Sequence, residues 1–403
     1  MTLLRLAWRN IWRHRQRTVL LVIVVAYATL TTVFFWSFAD GYAASVIDAH
    51  ARYIAAPVRV ASVAWYADPD PENGLPSLEV LSSLEAVPGV RAVAPRLEFP
   101  ALLRSAYASE PVTARGVDPS LEPRVSRVPQ KVRQGRWLEG PGEVVLGYKL
   151  AERLDVRLGE RVVLDTAALA GPQARGLTLV GIVDAGVSTV DHAAVFVHLA
   201  DARALTGLDT ATTLALDVPR GREAEVARRA QAVLPEGLEA RQVWDLIGPI
   251  KTDVQASKIM AIPIGLLFAL FAAAAVTSTV LVSVMERTRE FGVIAALGLS
   301  TRSLAGLVAL ESILATTLGW VAGLVLGYAL ITYTATHNVF GPLFAASGEA
   351  FTAAGLTEEF YTVVHPIYAL YALATVVFAG LLATLIPGRR VRGLNPAEAM
   401  RAE

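Results

Sequence analysis

Five charges lie between two long apolar runs, and they are the residues of this chain best placed to act on a partner. The stretch Glu286–Arg302 reads ERTREFGVIAALGLSTR. It follows Ile259–Met285, 27 residues without a charge, and precedes Ser303–Thr336, which holds one. Glu286 and Arg289 are three apart, as are Arg287 and Glu290, so both pairs suit a helix surface. Phe291, Ile294, Ala295 and Leu297 recur behind them at near-helical spacing, and Gly298 stands where a helix C-terminal glycine would. The pattern predicts a short amphipathic helix across the mouth of two membrane spans. A surface loop that only connects is the alternative.

Other chemistry is sparse. There is no cysteine, which excludes disulfides, thiol catalysis and cysteine metal sites. His14, His50, His192, His198, His337 and His365 are scattered, with no pair at metal-ligand spacing, so no metal site is expected. Asp191-His192 reads as a solvated loop pair. No GxxxxGK[ST] phosphate loop occurs, and no GxSxG or kinase set. The chain is therefore expected to be no enzyme and to bind no cofactor of its own. Glu311 is the one ionisable residue inside an apolar run, a functional candidate by default. It lies nine residues past Arg302, within about 14 Å of that end by helical rise, so a structural hydrogen bond near the interface competes. Ala315, Gly319, Gly323 and Gly327 repeat at spacing four and make one smooth face for close helix packing, within the chain or between subunits.

The elements that must position these residues follow from hydropathy. The chain has 403 residues, 54% hydrophobic and 18% charged, and its mean hydropathy of +0.47 places it in the membrane class. Net charge is zero, so nothing argues for nucleic acid. Residues 1–17 form a basic amphipathic helix, with Arg5, Arg9 and Arg13 on one face and Leu4, Trp8, Ile11 and Trp12 on another. Thr18–Ala39 is long enough to span about 30 Å of hydrocarbon, and too long for a signal-peptide core. Further spans are expected at 259–285, 303–336 and 366–387, with an outside loop at 337–365 and a tail at 388–403. The segments 1–17, 286–302 and 388–403 hold five, three and four arginines, and 337–365 holds neither Arg nor Lys. The positive-inside rule then puts both termini and 286–302 in the cytoplasm.

Residues 40–258 are too many and too mixed for a loop and must bury their own core. Strand–helix–strand patterns at each end (Pro57–Trp65, Ser77–Ala86, Val90–Arg104; then Leu214–Val218, Arg222–Leu234, Leu238–Arg241) predict a split ferredoxin-like lobe. Val90–Arg104 reads as one strand, or as two broken at Pro95 and Pro100. The strand-rich block at about 105–210 reads as a mainly β lobe inserted in the first. Val243–Lys258 looks helical and runs into the second span, so that it can tie the outer domain to the membrane helix. The fold class expected is thus a four-span α-helical membrane domain with a large α+β extracytoplasmic domain.

ERTREFGVIAALGLS at 286–300 resembles the ERxREIGxxxAxG segment of FtsX-like permeases of ABC transporters, with Phe291 where Ile is common. That family includes the MacB efflux pumps and the LolC/LolE lipoprotein-release proteins. LLRLAWRNIWRHRQRT at 3–18 and GLNPAEAMRAE at 393–403 resemble the family's ends, and the layout of one span, a large outer domain and three spans is similar to it throughout. The lipoprotein-release branch is the nearer match, because no ATPase is fused. The resemblance implies two permease chains, identical or paralogous, paired with two copies of a separate ABC ATPase that carries ATP and Mg. It assigns Glu286, Arg287, Arg289, Glu290, Phe291, Gly292, Ala295 and Gly298 to a coupling helix that docks on that ATPase. It implies a mechanotransmissive permease of the inner membrane that releases or exports lipoprotein or lipid-linked cargo, with room for a periplasmic or lipoprotein partner. MacB-like efflux of peptides or small molecules, FtsX-like signalling to an outside enzyme, and a plain anchored binding domain are the competing functions.

Overall fold

A computed structural model of the chain describes residues 2–13, 15–168, 171–286, 301–346 and 360–392. It divides into two compact units. One comprises Met1–Ala43, Val254–Val339 and Tyr361–Glu403; the other comprises Ala44–Asp253 and Phe340–Phe360.

The first unit is helical: α1 (Thr2–Arg13), α2 (Arg15–Ala49), α3 (Gly248–Glu286), α4 (Thr301–Thr336) and α5 (Ile367–Arg392). Three stretches are long and apolar enough to cross a membrane, Thr18–Ala55, Val254–Thr279 and Gly306–Thr336. The helix α5 has 26 residues, and Ile367–Leu381 is its shorter apolar stretch. Large apolar side chains face outward all along these helices, among them Val19, Ile23 and Tyr27 on α2, Leu266 and Leu270 on α3, and Val321 and Val325 on α4. In lipid that exposure costs nothing, but every polar group needs a partner. Helix hydroxyls find one on their own helix: Thr32 donates to the Ala28 carbonyl (2.8 Å) and Ser312 to that of Val308 (3.0 Å). Ala28, Ala272, Ala273 and Ala379 bring α2, α3 and α5 together, and Val33, Ile331, Tyr368 and Ala372 bring together α2, α4 and α5.

The second unit is built on one ten-stranded sheet. Its strands are β1 (Val58–Ser62), β2 (Ala92–Arg104), β3 (Ser109–Val117), β4 (Val132–Gly135), β5 (Glu143–Gly147), β6 (Arg161–Ala168), β7 (Gly171–Val183), β8 (Val195–His198), β9 (Thr213–Asp217) and β10 (Leu238–Gln242). Their order is β10-β1-β9-β2-β3-β8-β5-β7-β4, with β6 paired to β2 and β7. The first four of that order are antiparallel throughout. The helices Val80–Glu85 and Glu223–Val233 cover them, burying Leu84, Val226 and Ala230 against Val58, Val60, Leu214 and Leu216. The remaining strands enclose a separate core around Phe99, Val112, Val144, Leu146, Leu164 and Leu179.

Local chemistry decides the differences from the sequence reading. Pro57–Trp65 is not all strand. It stops at Ser62, whose hydroxyl accepts from Trp65 N (2.9 Å) and caps the short helix Val63–Ala67. Ser77 accepts from Glu79 N (3.1 Å), but in a turn, and the helix itself is Val80–Glu85. Of the two readings of Val90–Arg104, one unbroken strand is observed. Pro95 stands before the β2–β3 ladder begins at Arg96, and Pro100 before the β2–β6 ladder begins at Leu102. Each proline therefore meets one flank without a partner, where its missing donor is not needed. The two cores join along this strand, and the strands of the inserted block share the sheet of the first.

Buried charge marks that seam. Arg96 is 1% exposed and Glu122 0%. Arg96 donates Nε and Nη2 to the two Glu122 oxygens (3.1 and 2.7 Å) and Nη1 to the Ile54 carbonyl (3.1 Å). Next to it, Glu98 meets Arg115 at 2.8 Å and Arg59 at 3.7 Å. Burial alone would raise the Glu98 carboxyl, but Arg115, Arg59 and Arg96 outweigh it and hold it at about 2.

Candidate functional site

The small-residue stripe of α4 faces α2. A Cβ added to Gly323 would lie 2.5 Å from both the Ala26 carbonyl oxygen and Thr29 Cβ. On Gly319 it would lie 2.7 Å from Val25 Cβ, and on Gly327 3.3 Å from Val33 Cβ. The backbones approach so closely that only glycine fits at the first two positions. Ala315 is buried in the same row. Within this chain the row packs against α2. Glu311 stands one step earlier in that row, half-buried on α4.

One small cavity between the four long helices, about 10 Å³, is lined by Val25, Ala28, Ala272, Val276, Thr316 and Ala379 among others. That is room for about one water. Among the described residues no group of His, Asp or Glu is arranged to hold a metal ion.

The proposed docking segment is reached only at its edge. Glu286 is the last residue of α3. Arg287, Arg289, Glu290, Phe291, Gly292, Ala295 and Gly298 lie outside the described residues.

A polar cluster that sequence reasoning missed ties the far ends of the same helices. The Lys258 ammonium of α3 is 2.8 Å from Asp40 Oδ1 on α2, and Tyr368 of α5 donates its hydroxyl to Asp40 Oδ2 at 2.6 Å. Nearby, Ser37 donates to the Val363 carbonyl (2.6 Å), and Tyr328 of α4 donates to that of His365 (2.9 Å) while accepting from Ala369 N (3.2 Å). The signal for the ion pair was present: Asp40 is the first charge after Thr18–Ala39, Lys258 is the last before Ile259–Met285, and the two are opposite in sign. Nothing in the sequence, however, brought Tyr368 to them.

Asp191 also departs from the solvated pair expected of it. It is buried, 4% exposed, and its Oδ1 accepts from Ala185 N at 2.7 Å. Burial pushes its carboxyl up to about 6, with Asp184 adding to the rise, against backbone amides that lower it.

Comparison with known proteins gives this geometry a family. A model of the FtsX-like permease C-terminal region matches residues 262–396, and one of the MacB-like periplasmic core domain matches residues 18–233. The lipoprotein-releasing system transmembrane protein LolC of Neisseria meningitidis serogroup B is 28% identical over 339 residues, covering 78% of this chain and 79% of that one. An uncharacterised ABC transporter permease of Mycobacterium bovis is 30% identical over 329 residues, covering 79% and 76%. The macrolide export ATP-binding/permease protein MacB of Nitrosomonas europaea is 24% identical over 426 residues, covering 99% of this chain and 59% of that one. With apolar membrane helices, a MacB-like α/β domain between the first two of them and both family models matched, this chain belongs to the FtsX/MacB-type family of ABC transporter permeases.

Proposed function

We propose that this chain is the non-catalytic permease subunit of a mechanotransmissive ABC transporter, turning ATP hydrolysis by a separate ATPase into movement of its outer domain. The observation that carries the reading is the match to the permease parts of the family in a chain with no phosphate loop. The ATP-binding relative MacB is matched over only 59% of its length.

In finer detail, α2, α3, α4 and α5 are the four spans of an inner-membrane protein with both termini in the cytoplasm. The strands β10-β1-β9-β2 and their two helices are the ferredoxin-like porter lobe. Two such permease chains pair with two ATPase subunits, which hold ATP and Mg. The segment from Glu286 through Gly298 docks on the ATPase, whose closure moves α2 and α3 against each other. The cargo class is lipoprotein or lipid-linked, on the similarity to LolC.

The test is co-purification. Wild-type chain expressed with its neighbouring genes should retain an ABC ATPase, and Glu286→Arg with Glu290→Arg should lose it. Full retention of the ATPase and of its cargo-stimulated turnover by the double variant would overturn the docking assignment. Turnover without movement of any lipid-anchored protein, together with activation of an outside hydrolase, would replace transport by signalling.

A further inference from the structure

The Asp40 cluster sits where two uncharged runs begin and end. Asp40 and Lys258 directly flank Thr18–Ala39 and Ile259–Met285, and Tyr368 is two residues into the uncharged run that starts at Pro366. All three therefore lie at one boundary of the apolar layer, on the side opposite Glu286. Each Asp40 oxygen is taken by a different helix, Oδ1 by Lys258 of α3 and Oδ2 by Tyr368 of α5. Tyr368 is fully buried, with Val33, Ile331 and Ala372 around it, so its ring is held and its hydroxyl is aimed.

We propose that Asp40, Lys258 and Tyr368 form a latch that holds the outer ends of α2, α3 and α5 together in the resting transporter, and that the ATP-driven step must open it. The proposal rests on the permease reading given above. It adds the positioning residues that set the barrier.

The physical argument is one of strength and place. The Asp40 and Lys258 side chains are 28% and 49% exposed. A pair that wet contributes little to the stability of a fold. At the edge of hydrocarbon it is screened less than in bulk water, and a lone carboxylate there is disfavoured. An interaction of that size is too weak to lock the helices and strong enough to bias them. It shifts a two-state equilibrium by its difference between closed and open states and by nothing else. Cargo or nucleotide that opens the helices then works against a small, fixed load, and idle ATP turnover is held down.

Because the chain has no cysteine, the test is clean. Ala44 and Ala256 are exposed and flank the cluster in sequence, on α2 and α3. Both become Cys and carry spin labels in the full chain, purified with its ATPase. Wild type should give one narrow distance without nucleotide. Asp40→Asn, Lys258→Met and Tyr368→Phe should each broaden it and raise cargo-free ATP turnover by up to about fivefold. Asp40→Glu should stay close to wild type. The swap Asp40→Lys with Lys258→Asp should restore the part of both readouts that the ion pair sets, while the part set by Tyr368 stays lost.

Unchanged distances and turnover in all three single variants would overturn the latch. So would effects of Asp40→Asn and Lys258→Met that the charge swap leaves wholly in place. If no ATPase accompanies wild-type chain while the distances still follow the pair, the permease reading falls and the closed contact stands.

Discussion

The helical unit and the sheet unit of this protein fix their parts by opposite chemistry. Along the α2–α4 contact the chain has removed side chains, so that Gly319, Gly323 and Gly327 let the backbones meet. At the β2 seam it has buried full charges, Arg96 on Glu122 and Arg115 on Glu98. The contrast follows from the surroundings. Lipid gives no hydrophobic drive between helices, so closeness of approach is the main source of attraction. In the sheet unit, cores on both sides of the seam supply the hydrophobic drive, and a paired, hydrogen-bonded charge is tolerated within it.

The comparison can be broken most severely at the seam. Arg96→Met leaves the Glu122 carboxylate buried without a partner and should cost about 3–5 kcal/mol. Pairing it with Glu122→Leu should recover most of the loss, because an apolar pair of similar volume needs no desolvation. Thermal unfolding of the full chain followed by tryptophan fluorescence measures both. A double variant no better than the single would show that the ions do more than neutralise each other.

The helical side should break at Gly323. Leucine there collides with Ala26 and Thr29 and should destabilise the unit by about 3 kcal/mol, or prevent its accumulation in the membrane. Recovery of wild-type amounts with an unchanged melting temperature would contradict the close α2–α4 approach.

Asp191 offers a third, signed test. Its carboxyl titrates near 6 in the fold against an ordinary value of 3.8. Below 3.8 both states are protonated and the site is neutral to stability. As pH rises from there to 6, the unfolded chain ionises first and stability falls. Asp191→Asn keeps an acceptor for Ala185 N and removes the charge. It should flatten this part of the pH profile and raise stability at pH 7 by up to about 3 kcal/mol. An equal slope in both proteins would place the proton elsewhere.

The smallest effect is expected at Gly327, where an added Cβ meets Val33 at 3.3 Å, a gap its neighbour can open by a few tenths of an ångström. Gly327→Ala should change stability by less than about 1 kcal/mol. A loss as large as that at Gly323 would mean that the whole stripe is equally tight.

What could be read beforehand followed the range of the signal. Apolar runs of span length, the strand-rich block at about 105–210 and the glycine row at spacing four are local patterns, and each depends only on residues near it. The stop at Ser62 was less legible, because strand and capped helix begin with the same apolar residues. Whether β2 runs through Pro95 and Pro100 or breaks there was left open by the sequence. It depends on which flank each neighbouring strand leaves open.

Sequence alone determined that the chain enters a membrane, that a large domain lies between its first two apolar runs, and that it carries no phosphate loop. These are properties of composition and order, which no folding can alter. The tertiary structure alone decided that the glycines of α4 serve α2, that Arg96 finds Glu122 at the join of two cores, and that Tyr368 reaches Asp40. Those partners are 26 to 328 residues apart. Nothing local to either member of such a pair specifies the other, because the distance between them is set by every element packed in between.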